Sequence, residues 1–129
     1  GMEIVVCIDL SYNYISQTLN GRQFTHLSKL TYLNMAHNRI DLYSDKAFQE
    51  ISGTLKALDL SNNEFHFVMK GMGHRFTFLS HLTSLTVLSL ANNHIGLRIS
   101  NILTSTSLKY LDFSGNRLDI MWDSRRNRY

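Results

Sequence analysis

Asparagine, histidine and aspartate supply most of the chemistry available to this 129-residue sequence. Asparagines stand at Asn13, Asn38, Asn63, Asn93 and Asn116, separated by 25, 25, 30 and 23 residues. Their side chain carries one carbonyl acceptor and two amide protons, so it can satisfy backbone groups left unpaired where a chain turns a corner. A near-constant interval between such residues points to a structural repeat. Six histidines (His26, His37, His66, His74, His81 and His94) are many for this length. Imidazole in general titrates at about 6.5, and protonating all six moves the formal charge from +3 to +9. One expectation is therefore a surface that attracts polyanions in mild acid; the plainer one is a set of solvated histidines with no pH role. The single cysteine, Cys7, excludes an internal disulfide. None of the histidines stands at close metal-ligand spacing from Cys7, no glycine loop precedes a helix to cradle phosphate, and no serine sits on a nucleophile elbow. The expectation is no metal, no cofactor and no enzyme activity.

The elements that carry the asparagines follow one frame. Leu55 to Phe65 reads Leu-x-x-Leu-x-Leu-x-x-Asn-x-Phe, and the same eleven-residue frame recurs at Val5 to Ile15, Leu30 to Ile40, Leu85 to Ile95 and Leu108 to Leu118. This is the leucine-rich repeat, a short strand followed by a corner, with apolar positions pooled into a core because no single unit can bury its own face. The fold class expected is an α/β solenoid: a short arc of about five parallel strands with irregular or helical convex returns. The repeats run near 5–28, 29–53, 54–83, 84–107 and 108–129, all in one domain. The third holds an insertion, from His66 to Phe78. In the returns, Phe24 and Leu27 are spaced for a helical turn, Phe24 and Phe48 for a core spine, and Phe76, Phe78, Leu79 and Leu82 to refill the convex layer after the insertion. Ile99, Ile102 and Leu103 fill it in repeat four. The sequence shows no polar end caps, so an excised piece of a longer solenoid is expected, prone to self-association through its uncapped ends. No secretory leader and no stretch long enough to span a bilayer are visible.

Stacking turns repeat positions into surface columns. One concave column carries Asp9, Asn34, Asp59, Ser89 and Asp112, beside Cys7, Tyr32, Ala57, Val87 and Tyr110. Three aspartates disfavour phosphate there. The flank beyond the corners mixes aromatics, cations and carboxylates: Tyr14, Arg39, Glu64, His94 and Arg117 one residue past each asparagine, and Ser16, Asp41, His66, Gly96 and Asp119 three past. Such a mixture suits base edges or a protein partner, and it is also what an ordinary solvated flank contains.

Several stretches resemble one family. They are Ile15-Ser16-Gln17-Thr18-Leu19-Asn20-Gly21 with Phe24, Asn38-Arg39-Ile40-Asp41-Leu42-Tyr43, the insertion Lys70-Gly71-Met72-Gly73-His74-Arg75-Phe76-Thr77-Phe78, and Asp112-Phe113-Ser114-Gly115-Asn116-Arg117-Leu118-Asp119 with Trp122 and Asn127-Arg128-Tyr129. Together they resemble the endosomal nucleic-acid-sensing Toll-like receptors, the group of receptors 7, 8 and 9, and the insertion is most similar to the receptor 9 branch. The resemblance implies a segment from the second half of the ectodomain of a single-pass membrane receptor, lying in the endosomal lumen or on the extracellular side. It also implies an innate immune receptor that binds single-stranded nucleic acid or nucleosides and works as a homodimer. By motif match it implies Asp119 as a base-contacting carboxylate, with Met121 two positions on as an apolar neighbour; Gly96, in the same repeat column as Asp119, is a further candidate ligand-binding position. The chain departs from the group in having Arg126 before Asn127-Arg128-Tyr129, where an acidic residue is usual, and in lacking any Asn-x-Ser/Thr sequon. The alternative reading is a protein-binding leucine-rich-repeat module without nucleic-acid affinity.

Overall fold

A computed structural model of the chain describes residues 5–16, 19, 22–40, 42, 46–65, 72–95 and 105–116, the side chains of 72–75 apart. Five three-residue strands form one parallel sheet in chain order: β1 (Cys7–Asp9), β2 (Tyr32–Asn34), β3 (Ala57–Asp59), β4 (Val87–Ser89) and β5 (Tyr110–Asp112). The register is constant. Cys7 pairs with Tyr32, Tyr32 with Ala57, Ala57 with Val87 and Val87 with Tyr110. The insertion therefore leaves the stacking untouched. At about 4.8 Å per parallel step the sheet is only about 20 Å across. The architecture is the solenoid expected from the frame.

Alternation along each strand divides its residues between two faces. The middle leucines Leu33, Leu58 and Leu88 point inward and are buried, as are Leu30, Leu55 and Leu85 at the head of each frame. In the first and last repeats the matching residues, Val5, Ile8, Leu10, Leu108 and Leu111, are only partly buried. Behind the sheet a phenylalanine spine stacks across repeats. Phe24 and Phe48 lie 5.7 Å apart at 21°, Phe48 and Phe78 5.7 Å apart at 51°, and Phe76 joins at 6.5 Å. Phe76, Phe78, Leu79 and Leu82 are all buried, so the residues after the insertion do refill the convex layer.

The returns are tighter than an α-helix. Gln49–Ile51 and Met72–His81 are 3-10 helices, and the segment at Phe24 to Leu30 is a pair of turns closed by Leu27 N–H donating to Phe24 O and Leu30 N–H to Leu27 O, at 3.2 and 3.0 Å. The helical turn expected for Phe24 and Leu27 is thus an i to i+3 turn. Three residues per turn suffice to seat an aromatic and a leucine on one side, which the 3.6-residue period had suggested equally well. Glu50 ties this turn to the next repeat, accepting from Phe24 N–H and the Thr25 hydroxyl. The expected filling residues Ile99, Ile102 and Leu103 lie outside the described residues.

Candidate functional site

The corner after each strand is built by two side chains. The residue at the strand end first closes an Asx-type turn: one carboxylate oxygen of Asp9 accepts from Ser11 N–H and Oγ, and Asp59 and Asp112 do the same with Ser61 and Ser114, all at 2.6–3.0 Å. Asn34 bonds Ala36 N–H in the same way. These serine contacts hold the carboxyls of Asp9 and Asp112 below the usual carboxylate range, the side-chain hydroxyl more than the backbone amide. The aspartate column is therefore a row of local turn clamps as well as a charged concave stripe.

The asparagines then bond in a repeating backward pattern. Each amide nitrogen donates to carbonyls of its own corner and to one carbonyl of the repeat before: Asn38 to Leu10 O at 2.9 Å, Asn63 to Met35 O at 3.0 Å, Asn93 to Leu60 O and Asn116 to Leu90 O at 2.8 Å. Each carbonyl oxygen accepts from the preceding corner. Asn38 Oδ1 takes the Asn13 and Ile15 amides, Asn63 Oδ1 that of Ile40, Asn93 Oδ1 that of Asn63, and Asn116 Oδ1 those of Asn93 and Ile95. Asn38, Asn63 and Asn93 are buried while Asn13 is exposed. The corners are consequently cross-linked and stiff.

That stiffness imposes an unusual backbone on the residues either side. The residue before every corner asparagine is left-handed: Tyr12, His37, Asn62, Asn92 and Gly115 have φ of 60, 58, 57, 57 and 69°. Tyr14, Glu64 and His94, just after, lie at 53, 61 and 58°. A left-handed non-glycine residue costs roughly 1–2 kcal/mol, here offset by the ladder bonds. At Gly115 a Cβ would collide with the Asn92 side chain, which folds over it. The column before the asparagine was legible only through Asn62, Asn92 and Gly115, residue types that favour this conformation; Tyr12 and His37 give no such sign.

Two of these residues meet. The rings of Tyr12 and His37 stack with centroids 4.0 Å apart and planes at 10°. With Tyr14, Asn38, Arg39, Asn62 and Glu64 they line an open groove of about 260 Å³ on the corner flank. Tyr12 and Tyr14, in the first repeat, are 68% and 87% exposed; Tyr110, in the last, is also 68% exposed. Arg39 Nε lies 3.3 Å from Glu64 Oε2 along the groove wall. The concave face carries a second apolar stripe, with Tyr32, Val87 and Tyr110 exposed in one column. Cys7 is free and exposed in that column. Gly96, Asp119 and Met121 lie outside the described residues; the equivalent of Gly96 and Asp119 in the first repeat, Ser16, is exposed. Among the described residues no group of three His, Cys, Asp or Glu side chains could hold a metal ion, and no helix is long and apolar enough to cross a membrane.

Residues 1–40 match the family described as leucine rich repeat, and residues 83–123 a two-copy profile of the same repeat. The chain is 51% identical to human Toll-like receptor 9 over 116 residues, 90% of its length, and 50% identical to mouse Toll-like receptor 9 over 117. It is 39% identical to mouse Toll-like receptor 7 over 128 residues, 99% of its length. The chain belongs to the Toll-like receptor family. It spans 11–12% of the length of these curated relatives. Within the family the receptor 9 and receptor 7 likeness runs through all five repeats, so the corner ladder and its flank are a segment of a Toll-like receptor solenoid.

Proposed function

We propose that the chain is a ligand-binding and dimerising segment of an innate immune receptor ectodomain that senses single-stranded nucleic acid or nucleosides in the endosomal lumen. The observation that carries this reading is the corner flank: exposed aromatic and hydrogen-bonding side chains held on a cross-linked ladder, in a chain 51% identical to Toll-like receptor 9. By repeat position Asp119 and Gly96 belong to that flank, three residues past their asparagines, and Met121 follows Asp119 by two. A carboxylate at Asp119 accepts hydrogen bonds from base amino and imide groups. The receptor works as a homodimer, and the partly buried apolar residues of the first and last repeats give the isolated chain a route to self-association. The concave stripe of Tyr32, Val87 and Tyr110 favours a second reading, a protein-binding module without nucleic-acid affinity.

The test is binding of short single-stranded DNA, RNA and free nucleosides at neutral and mildly acidic pH, with Asp119→Ala alongside. Binding strengthened by acid and weakened at least tenfold by the substitution is the expected result. Affinity for a protein ligand with none for any nucleic-acid component would replace this reading by the second.

A further inference from the structure

Two rows of charge border the exposed apolar stripe of the concave face. Lys56 and Lys109 stand immediately before β3 and β5 and are exposed. Asp9, Asp59 and Asp112 end β1, β3 and β5. Both rows thus carry a charge at every second strand, a step of about 9.6 Å. Within one repeat the lysine and the aspartate are three residues apart, about 10 Å along the strand. That is too far for Lys56 to pair with Asp59 or Lys109 with Asp112, and among the described residues neither lysine meets a carboxylate.

The aspartates are held in place. One oxygen of each accepts both Ser11, Ser61 or Ser114 bonds, which leaves the second oxygen without a hydrogen bond among the described residues. Between the two rows run Tyr32, Ala57, Val87 and Tyr110, paired in register. Tyr32, Val87 and Tyr110 are 39%, 44% and 68% exposed, and the small Ala57 leaves a dip between its larger neighbours.

A trough with an apolar floor, a cationic rim and an anionic rim selects its occupant by width and period. An α-helix with its side chains is about 10–12 Å across, and seven of its residues rise about 10.5 Å, close to the two-strand step of the charges. A helix lying across the strands would therefore meet both rims at once and keep step with them over the sheet, about 13 residues at about 1.5 Å each. An extended strand falls out of step, since its same-face side chains recur at about 6.6 Å. Nucleic acid would set its phosphates against three carboxylates.

We propose that the concave face is a docking site for an amphipathic α-helix of a partner protein, laid across the strands with its apolar stripe on Tyr32, Ala57, Val87 and Tyr110, acidic side chains against Lys56 and Lys109, and basic side chains against Asp59 and Asp112. This is helix-in-groove recognition, with the apolar stripe supplying affinity and the two rims supplying choice of partner. The assignment is independent of the nucleic-acid reading, which uses the corner flank on the other side of the turn clamps.

The probes are stapled helical peptides of about three heptads, the staple being needed because short helices are marginal alone. All share a leucine stripe; one carries Glu along one flank and Lys along the other, one has both flanks acidic and one both basic. A fourth has the composition of the first rearranged to a two-residue period. Fluorescence anisotropy with the 129-residue chain is expected to rank the mixed-flank helix first, at least fivefold above the other three. Tyr110→Ser should weaken it about tenfold. The double variant Lys56→Glu with Lys109→Glu makes both rims acidic and should transfer the preference to the all-basic helix, a switch that damage to the fold would not produce. All three side chains are exposed. Equal binding of the three helices, equal binding of the two-residue-period peptide, or an unchanged preference in the double variant would overturn the proposal, as would no peptide binding by the parent chain. A single-stranded oligonucleotide should leave the mixed-flank helix bound; its displacing that helix would overturn the assignment of this face to protein and leave the nucleic-acid reading standing.

Discussion

Asn93→Ala is the substitution that tests whether the corner ladder holds the solenoid together. Asn93 is fully buried. Its amide nitrogen donates to Leu60 O, Leu90 O and Ala91 O at 2.8, 3.1 and 3.2 Å, and its carbonyl oxygen accepts from Asn63 N–H at 2.6 Å. Alanine removes all four contacts, but the damage is uneven. Leu60 O keeps Asn63 Nδ2, Leu90 O keeps Asn116 Nδ2 and Ala91 O keeps Asn62 N–H. Asn63 N–H loses the acceptor it has here. Two amide protons shared among three carbonyls, plus one accepted bond, amount to about three net hydrogen bonds at roughly 1 kcal/mol each, and a stranded buried N–H adds about 1–3 kcal/mol. The expected loss is about 4–6 kcal/mol, against about 5–15 kcal/mol for a whole domain. Urea unfolding of Asn93→Ala beside Asn13→Ala measures it. Asn13 is exposed and its side chain donates to Ser11 O within its own corner, so its loss should stay below about 1 kcal/mol. Since Asn93 bonds repeat three to repeat four, the m value should also fall as the two halves unfold less cooperatively. Equal midpoints for the two alanine variants would refute the ladder as a source of stability.

Phe48→Ala should cost about 3–5 kcal/mol, because Phe48 is fully buried between Phe24 and Phe78; a urea midpoint within 1 kcal/mol of the parent would show that the spine merely fills space. The strand-end carboxylates predict a pH response. Asp9 and Asp112 titrate below their ordinary value in the folded chain, so the stability they add is fully present above about pH 3.9 and is lost as pH falls through their lowered folded values. Stability owed to this pair is therefore flat from neutral pH to mild acid, and Ser114→Ala should move the Asp112 carboxyl back up toward 3.9 in an NMR titration; an unmoved carboxyl would remove the serine as the cause.

How much of this the sequence carried depends on the kind of signal. Parallel strands, their register and the buried leucines follow from spacing alone, because a fixed interval between identical frames leaves one way to stack them. The 30-residue step between Asn63 and Asn93 was readable as an insertion, and Phe76 and Phe78 as its closing residues, since aromatics at core spacing have few other places to go. The type of return was not readable: Phe24 and Leu27 three residues apart satisfy a 3-10 turn and an α-helical one equally, and only the Leu27 N–H to Phe24 O bond distinguishes the tighter. The Tyr12–His37 stack was hidden for another reason. Neither residue type favours a left-handed backbone, and only the column they share with Asn62, Asn92 and Gly115 exposes what the position demands.

That column links the scaffold to its surface. Asparagine side chains fill the inside of each corner with hydrogen bonds, which leaves the preceding residue no conformation except the left-handed one, and a left-handed residue next to a buried side chain must turn its own side chain outward. Position by position the solenoid therefore displays one group per repeat at a spacing set by the sheet, about 4.8 Å, close to the 4.0 Å at which Tyr12 and His37 stack. Planar side chains in adjacent repeats lie parallel because the backbone places them so, without a contact evolved for that end. Where the column changes to Asn62, Asn92 and Gly115 the stack stops, and the groove opens at that junction, between an aromatic half and a polar half.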